Sequence, residues 1–195
     1  MTDEFRTITD ESEGTYSELR SKFLAFAHHV SDVNEAMEVV ARYQKEYYDA
    51  RHVCWAYMLG AEREVYRSND NGEPSGTAGK PILGQINSNN LTDVVVVVVR
   101  YFGGVKLGTS GLIAAYRAAA AEALANATIV VRTVDEVYAF TFEYPYMSGI
   151  MKVVRDMNAT IVSQSYDTCC GMTVSIRKSK MTELKEKISK VLSPF

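Results

Sequence analysis

The chain has 195 residues, 47% of them hydrophobic and 23% charged, with a formal net charge of −3. That balance excludes wholesale disorder and predicts one domain or two small ones. The longest apolar run, residues 94–99, is far short of the ~20 residues a membrane helix needs. Residues 1–14 are acidic and hold no apolar secretion signal, and three cysteines, two of them adjacent, make no disulfide framework. A cytoplasmic protein without a membrane partner is expected. Residues 1–73 carry 8 Lys and Arg against 15 Asp and Glu, and residues 74–195 carry 13 against 9. A whole-protein basic field is therefore absent, and any basic face must be local to the second part.

In chain order, residues 15–30 read as strand, divided by a turn near Arg20. Residues 32–48 read as helix, with apolar positions at the 3.6 period and Asp32 and Glu35 placed as a capping box. Residues 53–59 and 64–68 flank Gly60 as a hairpin. Residues 69–79 are loop, and Pro81 suits the first turn of a short helix over 82–86. Residues 94–100 are apolar and β-branched at nearly every position, which predicts a strand buried on both faces. A loop over 101–109 leads into an alanine-rich helix over 110–126, and residues 128–132 are strand. A second unit then reads strand 137–144, helix 148–157, strands 160–166 and 172–176, and helix 182–192. Its β-α-β-β-α order is a split βαβ pattern one strand short, and the boundary between units falls near residues 133–136.

Eight of the 12 glycines lie between Gly72 and Gly111. Strand, glycine loop and helix follow one another over 94–125, an order that lets loop amides and a helix N-terminus cradle an anion. Gly103 and Gly108 have P-loop spacing, but Thr109 stands where the P-loop lysine belongs, which argues against nucleotide hydrolysis. Arg100, Lys106 and Arg117 have no acid between them, and Tyr101 and Phe102 lie alongside. Cations attract phosphate and aromatic faces stack bases. In the earlier loop, Asp70 and Glu73 are two carboxylates three residues apart, too few to argue for a metal, and none is expected. Ser75 and Thr77 are nucleophiles only with a base in reach. His52 and Cys54 share one strand face and are the candidates for a cleft. A small buried cysteine beside a satisfied edge histidine explains them better.

The segments SNDNGEPSGTAGKPIL and VVVVRYFGGVKLGTSGLIAAYRAA, with ARHVCWAY and RSKFLAFA before them, resemble the signature of the IMPACT/YigZ family over residues 14–130. The second unit resembles the small C-terminal domain of bacterial members. The resemblance implies an α+β protein of two domains. Residues 1–134 would form a ribosomal-protein-S5-domain-2-like sheet with helices on one side, and residues 135–195 a ferredoxin-like domain lacking its last strand. It places the family's acidic-loop motif on Asp70, Gly72, Glu73, Pro74, Ser75, Gly76, Thr77, Gly79 and Lys80, and its RYFGG-x-KLG motif on residues 100–108. Asn71 replaces an aspartate common in the motif, Ser110 a glycine and Ala114 an arginine.

The resulting expectation is a cytoplasmic, non-catalytic, translation-linked protein that binds RNA or the ribosome and takes no cofactor. Lys80, Arg100, Lys106 and Arg117 would neutralise phosphate, and Tyr101 would stack beside them. The loop at Gly103, Gly104, Gly108, Thr109 and Ser110 would orient the backbone. Two other readings stand beside it: an enzyme acting on a phosphorylated small molecule at the glycine-loop cleft, and a module that engages a protein partner in translation control.

Overall fold

A computed structural model describes residues 3–166 and 169–193. They divide into two compact units, one of residues 5–132 and one of residues 133–193 joined by Asp3 and Glu4. The expectation of a missing last strand turns on the chain's end at Phe195, which lies outside the described residues.

The larger unit is built on a five-stranded antiparallel sheet. Its strands are β2 (Ser12–Glu18), β3 (Ser21–His29), β4 (His52–Leu59), β5 (Val65–Asn69) and β6 (Val94–Tyr101), in the order β2-β3-β6-β4-β5. The chain turns between β2 and β3 at Leu19 and Arg20, both at positive φ. Strand β6 is central, and Val94 to Val99 are all fully buried. Alternate valines face opposite ways, so each side of the sheet needs its own cover. Val95, Val97 and Val99 pack with Ala36, Val40 and Tyr43 of α1 (Val33–Glu46). Val94, Val96 and Val98 pack under α2 (Gly79–Ser88) and α3 (Gly108–Ala125). The expectation of helices on one side is thereby corrected: a strand without a polar face cannot leave one side of its sheet to water.

Local chemistry sets the helix limits. The Asp32 carboxylate accepts the Glu35 amide at 2.9 Å, and the Glu35 carboxylate accepts the Ser31 amide at 2.7 Å, which fixes the start of α1. Helix α3 begins at Gly108, two residues earlier than its alanine run suggests, and α2 runs longer than expected at both ends. The alanines let α3 lie close on the sheet edge. At Gly14 in β2 an added Cβ would sit 2.3 Å from the Ala123 amide nitrogen, and the Ser12 hydroxyl donates to the Ala123 carbonyl at 2.8 Å.

The charged start of the chain carries an element that the sequence did not announce. Strand β1 (Glu4–Ile8) pairs with β7 (Ile129–Thr133) in a separate two-stranded sheet, and the Arg6 carbonyl accepts the Thr92 amide. Five residues rich in charge show no useful alternation, and the partners lie far away in sequence.

The smaller unit runs β8 (Asp135–Phe142), α4 (Met147–Asp156), β9 (Thr160–Tyr166), β10 (Cys170–Arg177) and α5 (Met181–Leu192). Its antiparallel sheet has the order β8-β10-β9, and one face packs Met172, Val174 and Ile176 against Ile150, Val154, Leu184 and Ile188 of the helices. The order of elements is the expected β-α-β-β-α. Within the unit, Arg177 holds Asp3 through two hydrogen bonds of 2.6 and 2.7 Å. Among the described residues no helix is long and apolar enough to cross a membrane.

Gly14→Ala tests the close seating of α3. The new methyl meets backbone, which cannot rotate away, so the denaturation midpoint should fall by the equivalent of about 1–3 kcal/mol, the usual range for overpacking. An unchanged midpoint would contradict that seating.

Candidate functional site

The loop after β5 is folded around Asp70. Its carboxylate accepts the amides of Gly76 at 2.8 Å, Ala78 at 3.0 Å and Gly79 at 2.8 Å, and so caps α2 from eight residues upstream. Burial opposes ionisation of this carboxyl, but the three amides together outweigh it and hold it below the ordinary aspartate range. Asn71 ties the loop to β4: its side-chain oxygen accepts the Val53 amide, and its carbonyl accepts from His52 Nδ1 at 2.8 Å. The Asp70 carboxylate is thus employed by the loop itself. Among the described residues no three His, Cys, Asp or Glu side chains gather to hold a metal.

Strand register places Phe23, Arg100 and His52 abreast on β3, β6 and β4. Their shared face looks toward the loop and α3. Arg100 Nη1 donates to Glu73 Oε1 at 2.6 Å, and the Tyr116 hydroxyl donates to the same oxygen at 2.8 Å. The Arg100 and Glu73 side chains are only 7% and 3% exposed. Burial raises the Tyr116 hydroxyl far above its ordinary pKa, so it remains a donor. Three elements (the loop, β6 and α3) are joined by this one carboxylate. Desolvation makes such a pair weakly stabilising at best, but removing one partner strands a buried charge.

The second glycine loop closes over this cluster. Gly103 lies so near the β2–β3 turn that an added Cβ would sit 2.0 Å from the Arg20 carbonyl carbon, and its amide donates to Ser21 Oγ at 3.1 Å. Gly108, at φ +71°, starts α3 in a conformation that L side chains rarely adopt. Between the two loops is a cavity of about 460 Å³, bounded by Gly72, Glu73 and Pro74 on one side and by Phe102 and residues 106–109 on the other. Arg51, His52 and Arg100 complete the wall. The α3 N-terminus that opens here has no side-chain cap, so its first amides and the positive end of its dipole are available to an anion.

The expected site residues divide on this map. Glu73, Arg100, Lys106, Gly108, Thr109 and His52 come together at the cavity, with Gly72 and Pro74. Ser110 is exposed on the first turn of α3 and Gly104 is exposed in its loop, both off the cavity wall. Arg100 is not a free surface cation: it is buried and paired with Glu73, and its guanidinium stacks near Phe23 and Phe102. Tyr101 faces the α1 side of the sheet, where its hydroxyl donates to Asp49 at 2.7 Å, because neighbouring strand positions point oppositely. Lys80, exposed on the first turn of α2, and Arg117, exposed nine residues along α3, do not line the cavity. Thr77 donates to the Pro74 carbonyl at 2.6 Å, and Ser75 and Gly76 shape the same turn. Cys54 is fully buried, its thiol pushed up to about 12 by desolvation and donating to the Asp70 carbonyl, so it is no cleft nucleophile. Sequence reasoning missed Arg51 and Tyr116. A lone tyrosine on the alanine face of α3 was the available signal, since a buried hydroxyl needs a partner.

Residues 19–124, which hold both loops and the cavity, match the Impact N-terminal domain. The chain belongs to the IMPACT family. It is 33% identical over 172 residues to the IMPACT family member YigZ of Escherichia coli, covering 87% of this chain and 84% of that protein. It is 34% identical over 156 residues to the IMPACT family member YvyE of Bacillus subtilis, covering 80% and 72%. A crystal structure described as that of a hypothetical protein superposes with a TM-score of 0.75 at 29% identity, over 97% of this chain and 93% of that one. Similarity to these IMPACT family proteins thus extends beyond the cavity-bearing domain.

Glu73→Gln leaves the Arg100 charge buried without its counterion and should lower stability by about 3 kcal/mol in chemical denaturation. Adding Arg100→Met should recover part of that loss, and no recovery would contradict the pairing. The Asp70 cap has its own pH signature. Its folded pKa is depressed, so its contribution is complete above the unfolded value of about 3.9 and is lost as pH falls through the lower folded value. Asp70→Asn should therefore cost about 1 kcal/mol at pH 7, the difference between charge-assisted and neutral hydrogen bonds, with the gap to wild type closing below about pH 4.

Proposed function

We propose that this protein is a non-catalytic, translation-linked regulator that binds RNA or the ribosome through the cavity between its two glycine loops. The observation that carries the reading is the meeting of separated donors at one place. Arg51 from the start of β4, Lys106 from the glycine loop and the uncapped end of α3 all border one cavity above a buried arginine. Phosphate is the ligand that such donors suit. Arg100 acts in the floor, and the cavity-lining cations without an ion pair among the described residues are Lys106 and Arg51. Lys80 and Arg117 extend the binding face beyond the cavity.

The translation link is what the family resemblance implies, together with architectures of the S5-domain-2-like and ferredoxin-like types. Supporting the second of these, the strand order β8-β10-β9 is that of a ferredoxin-like sheet without its last strand. A protein partner in translation control would extend the same role, and the cytoplasm is the compartment in which it operates.

Retention on RNA or ribosomes across a salt series tests the reading. Wild-type affinity should fall steeply with salt, and Lys106→Ala and Arg51→Ala should each flatten the log–log slope by about 0.7, the release expected per neutralised phosphate on single strands. Absence of retention at low salt, or unaltered slopes, would overturn it.

A further inference from the structure

We infer that the cavity is a subsite for one ribonucleotide unit, taking a 5′-phosphoryl group at the α3 end and a free 2′,3′-diol at Glu73 and His52. This rests on the phosphate-binding reading above and narrows it to a terminal or free nucleotide.

The cavity has two chemically different ends. One, at the start of α3, offers Lys106 and the first amides of an 18-residue helix that has no side-chain cap among the described residues. The other offers acceptors. Glu73 Oε1 is occupied by Arg100 and Tyr116, whereas Oε2 has no hydrogen bond and lies 3.9 Å from His52 Nε2. A carbonyl only accepts, so His52 Nδ1 is the atom that donates to Asn71, and in the neutral ring Nε2 carries the lone pair. A bare phosphate has no use for a carboxylate and an imidazole lone pair. Two vicinal hydroxyls do, because each brings a donor.

The buried arginine is the independent pointer to a ligand. The Arg100 side chain is 93% buried and borders the cavity, yet among the described residues it makes one hydrogen bond, from Nη1, which leaves Nη2 and the enclosed Nε without partners. Phe102 borders the same space, half exposed, with the Arg100 guanidinium 5.7 Å from its ring, and so offers a face to a base. A volume of about 460 Å³ lies within the ~300–1,000 Å³ of small-ligand pockets. A nucleotide inside a strand has its 3′-oxygen esterified and lacks the diol. The shared chemistry therefore belongs to a free ribonucleoside 5′-monophosphate or to the 3′-terminal nucleotide of an RNA.

Calorimetric titration of the full chain separates the cases. The probes are adenosine 5′-monophosphate, its 2′-deoxy form, adenosine, inorganic phosphate, and one short RNA with either a 3′-hydroxyl or a 3′-phosphate. The ribonucleotide should bind about tenfold or more tighter than the deoxy form, since a site built for a hydroxyl rejects its absence. Lys106→Ala should weaken it about tenfold, and Phe102→Ala should weaken the nucleotide but not inorganic phosphate. Preference for the 3′-hydroxyl RNA over the 3′-phosphate RNA supports an RNA end as the source. Tight nucleotide binding with no RNA binding supports the free nucleotide and overturns the RNA reading. Equal binding of ribo and deoxy forms, with RNA retained regardless of its 3′ end, overturns this inference and leaves the RNA reading standing. Binding of no probe overturns both.

Discussion

The ion pair between Glu73 and Arg100 is the contact around which the site is assembled. It joins a loop from one part of the chain to the central strand, and Tyr116 adds the alanine-rich helix through the same oxygen. Its energetic character explains its position. In water such a pair would be worth little, and in the interior it becomes costly to break rather than strongly favourable to form. It therefore specifies where the loop sits more than it stabilises the fold. The cavity is what remains between two loops fixed at their bases, the first by Asp70 and Asn71 and the second by the close approach of Gly103 to the β2–β3 turn.

Rigid support beneath flexible-looking sequence is the theme of the larger unit. A six-valine strand buried on both faces forces helices onto both sides of the sheet, and the alanines of α3 let that helix lie against β2 at Gly14. The N-terminus of α3 is thereby aimed, without a capping side chain, at the space above Arg100. Groups carried on loops need this kind of scaffold to keep a fixed geometry.

Much of this was legible in sequence, for physical reasons that differ by element. Helix α1 announced itself by period and capping box, and β6 by continuous β-branched residues. The two glycine loops were visible as irregular segments by their composition, and as motif segments by family resemblance. What could not be read was pairing across distance. Nothing in the local sequence of Arg100 says that it faces Glu73 rather than solvent, or that Tyr101 turns to the other side toward Asp49. The β1–β7 pair was hidden for the same reason, since the five residues of β1 gain their partner only at Ile129–Thr133. Arg51 entered the site only because it precedes His52, which the register sets beside Arg100 of β6.

In the proposed function, a phosphate-bearing ligand docks at the end of α3 between the glycine loops. Backbone amide chemical shifts of the isotope-labelled chain, followed as RNA is added, test it most directly. The largest changes should fall on Gly72 and on residues 106–109, which border the cavity, and on the next amides of the first turn of α3. Changes confined to the sheet face of β8, β9 and β10, with residues 106–111 unmoved, would contradict it.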